Sequence, residues 1–180
     1  MRADGLKRTV LSAMFLSIGL ILPFFTMQIK EMGDSLLPMH IPVMLCGLLC
    51  GAKYGLAIGF ILPILRGVLF SMPPVFPNAV WMAFELAAYG FVIGLIYSRS
   101  KKSTKSVYIA LIAAMISGRI VWGVAKAVLL GIGGKSFGIA AFIAGGFTDA
   151  VPGIILQLVL IPSVMALCRM RNNDKKGSIK

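Results

Sequence analysis

Hydrophobic positions along this chain come in long blocks rather than in the alternating or 3.6-residue patterns of soluble elements. Six apolar runs stand out, at residues 9–27, 36–51, 55–71, 78–97, 107–132 and 139–167. A helix needs roughly 20 apolar residues to cross a bilayer. The pattern therefore predicts an all-α integral membrane bundle of six transmembrane helices, in a single membrane domain over residues 1–180. The second run is short and contains Pro38 and Pro42. The first follows a polar start with Arg2, Lys7 and Arg8, the layout of a signal peptide, but no small-x-small cleavage site comes after it, so a retained helix is expected. Between the runs lie the polar Lys30–Ser35, the tight Ala52–Tyr54, the proline-rich Met72–Pro77, the basic Ser98–Ser106 and the glycine-rich Gly133–Gly138. The prolines make Met72–Pro77 too constrained for a helix. It and Lys30–Pro38 are expected to act as lids, most of the motion belonging to the second-named segment.

Composition agrees with the pattern: 58% of residues are hydrophobic, 13% are charged and mean hydropathy is +0.92, far from a soluble domain. Net charge is +12, which on a soluble protein would suggest nucleic acid. Here the cations sort by side. If successive runs alternate direction, 13 of the 18 Lys and Arg residues fall on one side and two, Lys30 and Lys135, on the other. Cations collect on the cytoplasmic side of membrane proteins, so both termini are expected there. The charge is then a topology signal and no nucleic-acid partner is needed. Cys46, Cys50 and Cys168 give no disulfide framework and are read as small packing residues.

Five charges remain inside the apolar runs: Arg66, Glu85, Arg119, Lys126 and Asp149. Each isolated charge near a bilayer centre costs roughly 2.5–3.5 kcal/mol on insertion scales, so five of them call for a shared polar cavity. At about 1.5 Å per residue, Arg66 lies roughly 8 Å and Glu85 roughly 10 Å from the outer surface, and Asp149, ten residues into the last run, roughly 15 Å. Arg119 is deepest, near the midplane, and Lys126 about two turns from the outer end of its run. Most of the group is thus in the outer half, which fits a pocket open to the outside. Arg119, Trp122 and Lys126 are spaced i, i+3, i+7 and share one helix face, as do Glu85 and Tyr89 at i, i+4. Cations, an aromatic ring and carboxylates on adjacent helices suit a small polar ligand with a flat or apolar part. Three cations against two anions favour an anionic group on it; the alternative is that the charges pair only to hold the helices together.

His40, the single histidine, lies at the outer mouth of the second run, where it either closes over a ligand or caps the helix. With no second histidine and no suitable cysteine spacing, no metal site is expected. Gly134-Lys135-Ser136 has the end of a phosphate loop, but position 129, where the motif wants glycine, is Leu129. No catalytic constellation is apparent, no enzyme activity is expected, and no cofactor is called for. Thr9, Ala13 and Ser17, at i, i+4, i+8, form a small-residue stripe on the first helix, where another helix can approach closely; internal packing is the alternative.

Residues Leu37–Gly51 (LPMHIPVMLCGLLCG), Lys53–Gly59 (KYGLAIG), the Met-Pro loop after the third run and Glu85–Gly90 (ELAAYG) resemble the substrate-binding S component of energy-coupling factor (ECF) vitamin transporters. The resemblance covers most of the chain. It implies a six-helix membrane protein that binds a micronutrient from outside, lacks ATPase activity, and docks on a module of one transmembrane coupling subunit and two ATPases. The family's docking motif, Ala-x-x-x-Ala, falls on Ala13 and Ser17, with serine in place of the second alanine. Family ligand residues come mainly from the fourth to sixth helices and the outer loops, where Glu85, Tyr89, Arg119, Trp122, Lys126 and Asp149 lie.

Residues and resemblance together lead to one expectation: a multi-pass protein of a bacterial cell membrane that captures a small water-soluble vitamin outside and delivers it inward with an ATPase module. An anionic vitamin is favoured, pantothenate first. A pyridoxine-like or pyrimidine vitamin precursor, or a standalone secondary transporter, are the alternatives. The expected ligand contacts are His40, Arg66, Glu85, Tyr89, Arg119, Trp122, Lys126 and Asp149, and the expected docking residues are Thr9, Ala13 and Ser17.

Overall fold

Prolines and glycines set where the helices of this chain begin, end and touch. The structure, a computed structural model, describes residues 2–26, 36–134 and 136–177, so Lys30–Ser35 of the first expected lid, and Lys135, lie outside the described residues. Helix α1 runs Arg2–Ile21 and tightens into a 3-10 turn over Leu22–Thr26. Pro23 accounts for the change, since it has no N–H to donate and its ring crowds the carbonyl four residues back.

Helix α2 (His40–Cys50) starts four residues later than the second apolar run. Pro42 explains this: in a helix begun at residue 36 it would sit in the interior, whereas from His40 it falls in the first turn, where its missing N–H would have no partner anyway. The helix is 11 residues long. It therefore rises about 16 Å, half of a ~30 Å hydrocarbon core. Gly51, at φ 103°, reverses the chain directly into α3 (Ala52–Phe70), a conformation that favours glycine. Ser71 ends α3 in a left-handed cap and donates its N–H to the Gly67 carbonyl at 2.9 Å, and Pro73 and Pro74 follow.

A π turn over Val75–Ala79 leads into α4 (Val80–Arg99), and Ser103 caps α5 (Thr104–Ile132) by accepting from the Ser106 N–H at 3.2 Å. The last apolar run departs most from expectation. It divides into α6 (Ile139–Ile143), a π turn over Ala144–Thr148, and α7 (Val151–Gly177). Gly145 and Gly146 weaken the helix, and Pro152 leaves no N–H for the carbonyl of Thr148, so the α ladder restarts after Asp149 and Ala150.

The described residues form an all-helical bundle with five helices long and apolar enough to cross a membrane: 4–25, 52–70, 75–99, 104–132 and 151–170. The second expected crossing corresponds to α2, which at 11 residues is too short to be counted among them. Helix α4 is the hub, packed against α2, α3 and α5. Glycines bring these backbones together: a methyl group on Gly90 would collide with the Gly55 carbonyl, and one on Gly47 would lie 2.5 Å from the Gly90 carbonyl oxygen. Outward faces are apolar. Ile109, Ile112, Ile116, Ile120, Val124 and Val128 make an exposed row along α5, as do Leu6, Val10, Met14 and Ile18 on α1. Water would penalise such rows and lipid does not.

Polar contacts sort the two ends of the bundle. At one end the Tyr54 hydroxyl donates to the Gly5 carbonyl, Arg8 to the Cys50 carbonyl and Arg169 to the Thr104 hydroxyl, each at 3.5 Å. Arg8 and Arg169, from the first and last long helices, thus share one end with the α2–α3 and α4–α5 connections. Cys46 and Cys50 are buried free thiols, and the Cys46 Sγ meets the Ser12 hydroxyl at 3.5 Å, consistent with a packing role.

Candidate functional site

The opposite end holds a cavity of about 550 Å³. Its position follows from the short α2: residues Leu37–His40, where that helix begins, line it, with Met72–Pro74 and Asn78 before α4, Trp81 and Glu85 on α4, and Arg119, Trp122 and Lys126 on α5. Pro23, Arg66, Gly145 and Asp149 also belong to the wall.

Three buried polar side chains from three helices meet at one carboxylate oxygen. Oε1 of Glu85 accepts from Nη1 of Arg119 at 2.9 Å and lies 3.3 Å from Nε2 of His40. The side chains of His40, Glu85 and Arg119 are all at most 5% exposed. Removing an ion from water costs several kcal/mol, so a buried arginine and glutamate hold only as a close pair. His40 therefore does not cap α2 with its ring; it is packed against Glu85 and lines the cavity. Tyr89 is buried one turn along from Glu85, and its ring meets His40 edge-on with centroids 4.9 Å apart. It belongs to the packing around the cluster rather than to the cavity lining. Gly118 gives the Tyr89 ring its space on α5, since a methyl there would overlap it.

Above this cluster the wall is aromatic. Lys126 places Nζ 4.5 Å from the ring centroid of Trp122, 5.1 Å from Phe137 and 5.5 Å from Trp81. Cation–π attraction of this kind stabilises an ammonium where water is scarce. Trp122 also packs against Phe137 and Phe142, with centroids 5.8 and 6.0 Å away. Trp81 was not apparent from the sequence, although Trp81, Glu85 and Tyr89 follow one another at i, i+4, i+8 and so share a face of α4. Phe137 had no signal, because its place depends on the fold-back of a glycine-rich connection.

Two embedded charges differ from the sequence reading. Arg66 does not join Arg119 and Lys126 as a surplus cation. Its Nη1 donates to the Leu20 carbonyl at the end of α1, and its guanidinium lies 4.9 Å from the Phe24 ring and 5.5 Å from the Phe70 ring. The carbonyls of a helix end carry partial negative charge, which a buried cation can satisfy. Asp149 is not deep inside a continuous helix. It is exposed, at the break before α7, and lies on the cavity rim. The glycines and Pro152 that break the helix remove the basis of the depth estimate.

On α1, Thr9, Ala13 and Ser17 are all exposed, whereas Ser12, Phe15 and Gly19 face the bundle. Ser17 donates to the Ala13 carbonyl at 3.1 Å, so its hydroxyl is satisfied within the helix and the outward stripe stays small. Among the described residues no group of three or more His, Cys, Asp or Glu side chains is placed to hold a metal ion.

The profile of one family, the ECF transporter, substrate-specific component, matches residues 7–165. No curated protein and no solved structure matches the chain.

Proposed function

The chain belongs to the substrate-specific components of ECF transporters, membrane-embedded multi-pass proteins that bind a vitamin or other micronutrient for transport, and from that premise we propose that its cavity captures a small anionic water-soluble vitamin, pantothenate first. The observation that carries this reading is the charge around the cavity. Arg119 and Lys126 line it, Glu85 is the one buried carboxylate among the described lining residues, and Arg66, also in the wall, is held by the Leu20 carbonyl. A ligand carboxylate would offset positive charge that is held away from water. Volume is in keeping with a vitamin-sized molecule, since ligand pockets usually fall in the range of about 300–1,000 Å³.

In this account the cavity end faces outward in a bacterial cell membrane and the end with Arg8 and Arg169 faces the cytoplasm, in keeping with the bias of basic residues toward that end. Transport then depends on a coupling subunit and two ATPases, with the coupling subunit approaching the small outward stripe of Thr9, Ala13 and Ser17. His40, Arg66, Glu85, Arg119, Trp122, Lys126 and Asp149 border the ligand, and Tyr89 supports His40. A second reading, an uncharged pyridoxine-like or pyrimidine precursor, draws on Trp81 and Trp122, whose rings suit a flat heterocycle.

Titration of wild-type protein and of purified Arg119→Met with pantothenate and with pyridoxine separates the two. Loss of a charge-assisted contact, about 1.5–3 kcal/mol, weakens pantothenate binding about tenfold to a hundredfold. Wild-type protein that binds pyridoxine and ignores pantothenate would favour the second reading.

A further inference from the structure

Arg119 is 4% exposed and lines the cavity, yet it uses only part of its hydrogen-bonding capacity. Nη1 donates to Glu85 at 2.9 Å, so one of its three nitrogens is engaged by a protein acceptor. Nε and Nη2 are buried and have no hydrogen-bond partner. Buried donors in folded proteins are nearly always satisfied, so two on one side chain ask for an acceptor. The two nitrogens are not scattered. They form one edge of the guanidinium, whose N–H bonds run parallel and match the two oxygens of a carboxylate. His40 contributes a third open position: Nε2 is committed to Glu85, while Nδ1 is buried without a partner. Lys126 has a different setting, its ammonium over the rings of Trp122, Phe137 and Trp81.

We infer that the ligand's carboxylate docks side-on across Nε and Nη2 of Arg119, with Glu85 acting as a positioning residue that holds the guanidinium edge toward the cavity. The inference rests on the anionic-vitamin reading and adds an orientation to it. The acid end of the ligand points down to the His40–Glu85–Arg119 cluster, and its body lies along Trp122 and Trp81 toward Lys126. Arg119 and Lys126 are seven residues apart on α5, about 10 Å of rise, which leaves room between them for a short apolar body. Recognition is then of a carboxylate geometry and not merely of negative charge. An ammonium at position 119 would keep the charge and lose the two-donor edge.

The test uses the full chain in detergent, titrated with three carboxylate vitamins and their neutral counterparts: pantothenate and pantothenol, biotin and biotinol, nicotinate and nicotinamide. Wild-type protein is expected to bind one carboxylate and to prefer it strongly over its neutral counterpart. Arg119→Lys is expected to weaken that carboxylate about tenfold to a hundredfold and to change the neutral counterpart little. Because Arg119→Lys could also disturb folding, a second measurement uses wild-type protein. Arginine labelled with 15N and the preferred ligand labelled with 13C at its carboxyl should show dipolar couplings by solid-state NMR from that carbon to both Nε and one Nη of a single arginine. Loss of these couplings in Arg119→Lys, at a ligand concentration that still saturates the variant, assigns them to Arg119; couplings that persist there overturn the docking mode. If no carboxylate binds, or each binds no better than its counterpart, the anionic reading fails and the docking mode with it. If a carboxylate is preferred but the couplings are absent, or Arg119→Lys keeps the full preference, the docking mode fails and the anionic reading stands.

Discussion

Nη1 of Arg119 donates to Oε1 of Glu85 at 2.9 Å, tying the middle of α5 to α4 at the floor of the cavity. The two residues are 34 positions apart, and His40, 45 positions from Glu85, shares the same oxygen. One carboxylate thus fixes three helices relative to one another and decides which edge of the arginine is left for a ligand.

Glu85→Ala should be the most disruptive single substitution in the cluster. It leaves Arg119 as a buried charge without its carboxylate, a change that costs about 3–5 kcal/mol. Thermal unfolding followed by circular dichroism should show a clear drop in the midpoint, and ligand binding should weaken because the guanidinium is no longer held in place. An unchanged midpoint would mean that the pair contributes no net stability.

Gln157 offers a contrasting case. It is fully buried on α7, and neither amide atom makes a hydrogen bond. It does not line the cavity. Gln157→Met keeps the length and removes both polar atoms, each of which costs about 1–3 kcal/mol when buried unsatisfied. The unfolding midpoint should rise while ligand affinity holds. A lower midpoint would show that the amide is engaged in the folded protein.

Ala13→Leu and Ser17→Leu should leave ligand binding intact and abolish uptake. Both positions are exposed on α1 and neither lines the cavity. A bulky side chain keeps a second helix from approaching the stripe. Purified variants should therefore titrate like wild type but fail to co-purify with a coupling subunit and its ATPases. Wild-type levels of co-purification would move the docking surface elsewhere.

The parts of this account that were legible in the sequence are those set by local pattern. Apolar runs located the long helices, and the i, i+3, i+7 spacing put Arg119, Trp122 and Lys126 on one face because helix geometry alone fixes that relationship. Family membership was legible as well, carried by contiguous motifs. What the sequence hid depends on contacts between distant segments or on competing local signals. The pairing of His40 with Glu85 needs α2 to begin at His40, partway along its apolar run, which Pro42 explains only once the helix start is known. Arg66 lines the cavity as expected but was counted as a surplus cation, because its partner is a backbone carbonyl, invisible to any count of charges. The depth of Asp149 was lost to Gly145, Gly146 and Pro152, whose combined effect on the helix outweighed the apolar run that contains them.

Whether this cavity holds an anionic vitamin is decided by native mass spectrometry of the protein purified in mild detergent from cells that express it with its natural nutrients present. A bound species is expected whose released mass and fragmentation identify a carboxylate-bearing vitamin, retained by wild-type protein and lost from Arg119→Met. A neutral vitamin released from wild-type protein, or a carboxylate retained equally by Arg119→Met, would contradict it.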